Sequence, residues 1–490
     1  MLKEIHRQGG RLVAEGCLNQ AIVREIVGEG KQVKRARSGQ GAKGTHILFY
    51  GFLFFTLVLP GALSAQQPPA GGGSDDVLRL TLSQSVALAL KQNTTAQIAV
   101  LSAAQSEQEK NIARAALLPQ AEFGASDAVR RLNLEANFGR RVPGFPEHAG
   151  PFQVFNAGPS FGAPLFDLTL WRRYLAARDS AAAARASSLT TREQVILLVV
   201  SQYIGTLRAV ANVKASESRV DLAQALYEQA ADLQKAGVGT GIDTLRANVE
   251  LQNEKQRLIQ AQAERETSLY ALSRLLNLDP RQKIEPADSL EFFDTPEPEV
   301  EASIEQALAA RAEWKSLESH IRAAENSRKA ASESRLPSLR FDGNWAYQGI
   351  SSSTGIPTYN YQASVNVPLF TGGRIRAEVV RAELETKKLR EQQADLRNQI
   401  ALDVKTALVN LHSARNEVEV ATLGVKLATE EVEQARDRFK AGVANNIEVI
   451  SAQDSLARAN DNQIAALYRF NQARADIARA VGQMEKLYAK

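Results

Sequence analysis

The chain has 490 residues, 44% hydrophobic and only 6% aromatic, with 59 Lys+Arg against 55 Asp+Glu and a single cysteine. Long stretches rich in alanine, glutamine, glutamate and arginine favour extended helices over a thick globular core. The basic excess is local: residues 1–45 hold nine Lys/Arg and four Asp/Glu, and the rest holds 50 basic against 51 acidic groups, which removes the electrostatic footprint of a nucleic-acid binder.

Residues 1–45 read as an N-terminal extension or an early start, and 46–65 (HILFYGFLFFTLVLPGALSA) as a signal peptide. The basic residues Lys31, Lys34, Arg35, Arg37 and Lys43 precede an apolar run that ends in Pro60 and small residues, with cleavage expected near Ala65. A single-pass anchor is the alternative, although the run falls short of the ~20 residues that span a bilayer. Cys17 lies upstream of the signal, so the exported chain would have no disulfide and no N-terminal cysteine for lipid attachment. Residues 66–79, opening with QQPPAGGGS, form a flexible lead-in.

The remainder reads twice: a first repeat over 80–280, a linker over 281–301, a second repeat over 302–483 and a tail over 484–490. Asn93–Pro119 parallels Arg311–Pro337 at a constant offset of 218, and each segment belongs to a helix of about 32 residues stopped by proline. Pro164-Leu165-Phe166 recurs as Pro368-Leu369-Phe370, each expected to open a long helix. Lys235-Ala236-Gly237-Val238 recurs as Lys440-Ala441-Gly442-Val443.

Strand-like sequence fills the gap before each long helix. Leu339, Phe341, Gly343, Trp345 and Tyr347 alternate with polar or small residues, as do Tyr359, Tyr361, Ala363, Val365, Val367 and Leu369. Phe155–Leu165 is less regular, and Phe123–Ala128 is a weaker fourth strand. Period-two alternation over ~10 residues with flanking aromatics suits a membrane strand. Four strands fall short of the roughly eight that close a barrel, so membrane strands here require several copies to share one cylinder. Two soluble hairpins packed on helices are the alternative.

The longest helix is expected over Arg374–Ala441. Val404, Ala407, Leu411, Ala414, Val418, Ala421, Val425, Ala428, Val432, Ala435 and Phe439 repeat at alternating steps of three and four, the spacing of a coiled-coil seam. Alternation of bulky residues with alanine requires close helix approach, and about 68 residues give a rod of about 100 Å. The last helix continues the seam through Leu456, Ala459, Gln463, Ala466, Phe470, Ala473, Ile477 and Ala480. A half-length helix on either side of the hairpin and turn would lie alongside each long one.

The duplicated order of helix, LLP or RLP, hairpin, PLF, long helix, KAGV turn and helix resembles the TolC family of outer-membrane efflux proteins from Leu80 to Gly482. The resemblance implies a mainly α fold with a small membrane β part, three copies sharing a 12-stranded β-barrel that continues into a coiled-coil α-barrel. It further implies a passive exit duct in the cell outer membrane of a Gram-negative-type bacterium. Its partners would be a periplasmic adaptor, an inner-membrane pump of the RND or ABC type, and outer-membrane lipid. The adaptor would dock at the helix-reversal tip: Gly237, Val238, Gly239, Thr240, Gly442, Val443 and Ala444. The periplasmic constriction would involve Asp243, Glu448 and Ser451. Ser451 stands where a second acid is often found, and Ala444 where an arginine can lock the closed state. A secreted or surface coiled-coil scaffold without a pore remains the rival.

No catalytic constellation is expected. His148, His320 and His412 fall in dissimilar contexts, so neither a metal site nor a triad is expected, and no cofactor. Gly237–Gly241 (GVGTG) follows a helix rather than a strand and lacks the Gly-Lys-Ser/Thr ending of a phosphate-binding loop.

Overall fold

The computed structural model describes residues 77–293, 298–441, 443 and 446–489. The N-terminal extension, the signal peptide, most of the lead-in, Gly442 and Ala444 lie outside the described residues.

The first half runs β1 (Leu78–Leu80), α1 (Leu82–Gln92), α2 (Thr94–Ala115), β2 (Gln120–Asn133), α3 (Leu134–Phe138), β3 (His148–Phe166), α4 (Leu168–Lys235), α5 (Gly241–Leu275) and β4 (Ile284–Pro286). The second runs α6 (Val300–Ala310), α7 (Ala312–Glu333), β5 (Ser338–Gly349), β6 (Ile356–Asn366), α8 (Arg374–Lys440), α9 (Asn446–Ala480) and α10 (Met484–Tyr488). The rods α4 and α8 have 68 and 67 residues, and α5 and α9 have 35 each.

The helix expected before each proline is broken in two. Asn93 and Arg311, 218 apart, both take φ −61° with extended ψ of 125° and 128°, so each ends one helix and starts the next. Asn93 stabilises the break by accepting from the amides of Thr95 (2.9 Å) and Ala96 (3.2 Å), while its Nδ2 donates to the Leu275 carbonyl at 2.8 Å. Neither proline nor glycine marks either break. Asparagine before two threonines was the available signal.

The seam along α8 and α9 is present. Leu411, Ala414 and Val418 of α8 pack with Ala466, Phe470 and Ala473 of α9. Gln463, its one polar intruder, donates to Thr422 Oγ1 at 3.4 Å. The first rod crosses between the repeats. Near the sheet α4 lies against α7, where Ser316 Oγ donates to the Ala183 carbonyl at 3.0 Å and Asn326 Nδ2 to Asp179 Oδ2 at 2.8 Å. Farther along it runs beside α5, whose Thr244 Oγ1 donates to the Ala230 carbonyl at 3.3 Å.

Between these contacts α4 is apolar enough, by length and composition alone, to pass as a membrane span. Its Val195, Ile196, Val199, Val200 and Tyr203 instead centre the largest buried core, with Val86, Leu272, Leu276, Ala475 and Met484 around them. The Tyr203 hydroxyl lies 2.8 Å from both the Leu80 carbonyl and Asp288 Oδ2, which also accepts from the Leu82 amide at 2.7 Å. Burial and the neighbouring Asp288 carboxylate push the phenol up. Strands β1 and β4 pair in parallel beside this knot, Leu78 opposite Ile284.

The four long strands form one antiparallel sheet, β2-β3-β5-β6, and among the described residues no strand pairs with the outer edge of β2 or β6. The weak fourth strand is much longer than its alternation foretold: β2 pairs with β3 from Gln120↔Gly162 to Asn133↔His148. Ladder hydrogen bonds hold a sequence whose Asp127, Arg130 and Arg131 break the pattern. On one face Leu339, Phe341, Trp345 and Tyr347 stand beside Val365, Ala363, Tyr359 and Pro357. The other face carries Asn344, Asn360, Gln362 and Ser364.

The two proline motifs behave differently. Phe166 ends β3 and Asp167 then caps α4, its carboxylate accepting from the Leu170 amide at 3.0 Å. Strand β6 stops at Asn366, short of the expected Leu369, because Pro368 has no N–H for a ladder. Leu369 and Phe370 are 93% and 92% exposed, and α8 begins only after Gly372 and Gly373.

Candidate functional site

The ends of α4 and α8 opposite the sheet reverse direction through two short turns. In the first, Ala236 keeps helical angles and Gly237 turns to φ +75°, a left-handed geometry that side chains disfavour. Val238 N then donates to the Leu233 carbonyl at 3.1 Å and Gly239 N to the same oxygen at 2.9 Å. A Cβ on Gly239 would lie 2.9 Å from Gln234 N, so the close backbone approach there needs glycine. Thr240 caps α5: its Oγ1 accepts from the Asp243 amide at 3.4 Å and donates to the Asp243 carboxylate.

The second turn aligns with the first in sequence at an offset of 205. Ala441 is helical, and Val443 N donates to the Arg438 carbonyl at 3.0 Å, the counterpart of Val238 and Leu233. Val238 and Val443 are the exposed apolar points of the two turns, at 75% and 68%.

At the same offset Asp243 corresponds to Glu448, and Arg246 to Ser451. In the first turn Arg246 lies 3.8 Å from Asp243. In the second, serine at 451 offers no charge, and Glu448 Oε1 instead accepts from Arg438 Nε at 2.9 Å. Sequence reasoning missed both arginines. Arg246 was legible at three residues from Asp243, whereas Arg438 reaches Glu448 only because the chain folds back between them. Ser451 is exposed one turn farther along α9. Beside the turns, Leu245 and Val249 of α5 and Ile447 and Ile450 of α9 line an open groove of about 500 Å³ with Arg246 and Glu250 on it.

A second polar cluster joins the repeats at the opposite end of α9. Arg311, 6% exposed, donates to Asp403 Oδ2 at 2.9 Å and Glu313 Oε1 at 2.9 Å. Arg479 donates to Glu313 Oε1 at 3.1 Å and to Glu193 Oε2 at 3.3 Å. Burial would raise Glu313, but the Arg311 and Arg479 guanidiniums outweigh it and hold the carboxyl below its usual range. For Glu193 burial wins over Arg479, and its carboxyl is raised.

The three histidines on described elements are separated: His148 Nε2 accepts from Arg131 Nη2 at 3.0 Å, His320 is exposed on α7, and His412 lies beside Asn416 at 3.2 Å on α8. Among the described residues no cluster of three His, Cys, Asp or Glu side chains is arranged to hold a metal ion.

Two turns at one end of paired long helices and an open-edged four-stranded sheet at the other match known proteins. The family model described as "Outer membrane efflux protein" matches residues 86–278 and 303–483, the two halves separately. The chain is 24% identical over 422 residues to the pyoverdine export outer membrane protein OpmQ of Pseudomonas putida, covering 81% of this chain and 84% of that one. It is 24% identical over 385 residues to the outer membrane protein TolC of Vibrio cholerae, covering 76% and 84%. The fold superposes on the CmeC outer membrane channel of Campylobacter jejuni with a TM-score of 0.73 and 20% identity, covering 82% of this chain and 85% of that one. With both halves matched, the chain belongs to the outer membrane efflux protein family.

Proposed function

We infer that the chain is the exit duct of a tripartite efflux or type I secretion system in the outer membrane of a Gram-negative-type bacterium. The observation that carries this is the sheet: four strands, apolar on one face and polar on the other, with β2 and β6 unpaired at the edges. Three copies joined edge to edge close a 12-stranded barrel whose apolar face meets lipid and whose polar face lines water. The rods continue from it as a hollow α-barrel into the periplasm, and the turns form its far tip. The work is passive transport, with no chemistry of its own. Energy comes from an inner-membrane pump of the RND or ABC type, coupled through a periplasmic adaptor.

Adaptor docking is assigned to Gly237, Val238, Gly239, Thr240, Gly442, Val443 and Ala444, supported by the two exposed valines and the adjoining apolar groove. The constriction is assigned to Asp243, Glu448 and Ser451, supported by the equivalence of the two acids across the repeats. Residues 80–280 and 302–483 are taken as the two structural repeats. Purified in detergent and added to a planar bilayer, the exported chain is expected to be trimeric and to conduct ions. A water-soluble monomer without conductance would end this reading.

A further inference from the structure

The β2–β3 hairpin projects beyond the rest of the sheet. Pairing of β3 with β5 begins at Phe155↔Gly349, whereas β2 and β3 remain paired as far as Asn133↔His148. The apolar face ends at the level of Tyr347 and Pro357. Above it β2 continues from Phe123 through Ala125, Asp127 and Val129 to Arg131, which lies where the register with β3 shifts between Arg130 and Leu132. Asp127 is already occupied there by the Gln153 amide, 2.5 Å away. Arg131 Nη2 lies 3.0 Å from His148 Nε2. The loop between the strands adds Arg140 and Arg141, the latter 2.5 Å from Glu147. Arg140 has no ion-pair partner among the described residues. The neighbouring β5–β6 connection, Ile350–Gly355, carries no charge.

Two exposed aromatic residues flank Arg140 and Arg141 along the chain. Phe138 and Phe145 are 55% and 60% exposed and meet edge to face at 6.1 Å, an arrangement held by Phe145 N donating to the Val142 carbonyl at 3.1 Å. Rigid aromatic rings next to guanidiniums at the edge of an apolar belt have the composition of a membrane interface. Guanidiniums match phosphate oxygens bidentately, and at a lipid surface they act where the local field is anionic.

We propose that this rim, formed by Arg131, Arg140 and Arg141 with Phe138 and Phe145 as its apolar shoulder, seats the phosphorylated headgroup of an anionic lipid in the outer leaflet. The proposal rests on the outer-membrane reading of the sheet. It makes the hairpin a lipid anchor that fixes the height of the barrel and leaves conduction to the pore.

The test uses the full exported trimer in dodecyl maltoside and lipid A carrying both phosphates, with bound lipid counted by native mass spectrometry. Saturable binding is expected, weakened roughly fivefold by each arginine removed. R131Q/R140Q/R141Q should therefore lose on the order of a hundredfold. R340Q, on the polar face beside Asp342, should bind as the parent does. Equal binding by the triple variant, equal binding of dephosphorylated lipid A, or displacement by inorganic phosphate beyond chloride of matched ionic strength would each overturn the lipid seat. Should the triple variant fail to form trimers, R131Q alone carries the comparison. Conductance read on the same preparations separates this proposal from the duct itself: a parent trimer that does not conduct counts against the duct, and a variant that loses lipid with normal conductance supports the seat.

Discussion

At the scale of single residues, charge pairing decides what the tip can do. Glu448 is not a bare carboxylate in the protomer, since Arg438 approaches it to 2.9 Å. Both side chains are substantially exposed, so the pair contributes little stability and can exchange for other ions. E448A is expected to reduce the block of conductance by multivalent cations, and R438A to strengthen it by freeing the carboxylate. Planar-bilayer recordings with a trivalent cation distinguish these outcomes, and identical block in both variants would remove Glu448 from the constriction. The buried cluster behaves in the opposite way. Glu313 has its carboxyl held down, so its contribution is fully present above the unfolded value near 4.3 and disappears as pH falls through its native value. E313Q should lower the trimer's thermal stability at pH 7, by about 3 kcal/mol for a broken buried pair, and converge with the parent in acid. Glu193 has the reverse sign: burial penalises its ionised form, so E193Q should cost less than E313Q in the same melts.

At the scale of elements, one position solves the same problem in two ways. Asn93 caps α2 with its own side chain, whereas the corresponding Arg311 makes no side-chain cap and instead binds Glu313 and Asp403. N93A should cost about 1–2 kcal/mol, the value of a lost cap and one orphaned carbonyl. R311A leaves Asp403 and Glu313 without their closest cation and should cost about 3–5 kcal/mol. The temperature at which the trimer dissociates on a gel ranks the two, and N93A costing more than R311A would contradict the assignment. The seam of α8 was legible because a three-four repeat states directly which side of a helix is covered. The breaks at Asn93 and Arg311 were hidden, since helix propensity on both sides is good and only the capping bonds reveal the interruption.

At the scale of the whole molecule, a protomer with two open sheet edges is incomplete. Leu369 and Phe370, almost fully exposed, add apolar surface that a monomer in water would not leave bare. L369S/F370S is expected to lower the fraction of detergent-resistant trimer while leaving the helical far-ultraviolet spectrum intact. Unchanged trimer yield would mean that these two side chains lie outside both the lipid and the subunit contacts.

The amino-acid sequence by itself determined the duplication, the two rods, the glycine turns and the alternating hairpins, because these follow from short-range periodicity and from backbone geometry that few residues tolerate. The length of β2 was set by its partner β3, whose hydrogen bonds extend the strand past its own alternation. The placement of α7 between α4 and α8, and the meeting of Arg311, Arg479, Glu313 and Glu193, depend on contacts between distant segments. Likewise, Arg438 found Glu448 through the reversal of the chain and not through any local spacing. Such partners are chosen when helices pack, and packing is the one step that no local pattern encodes.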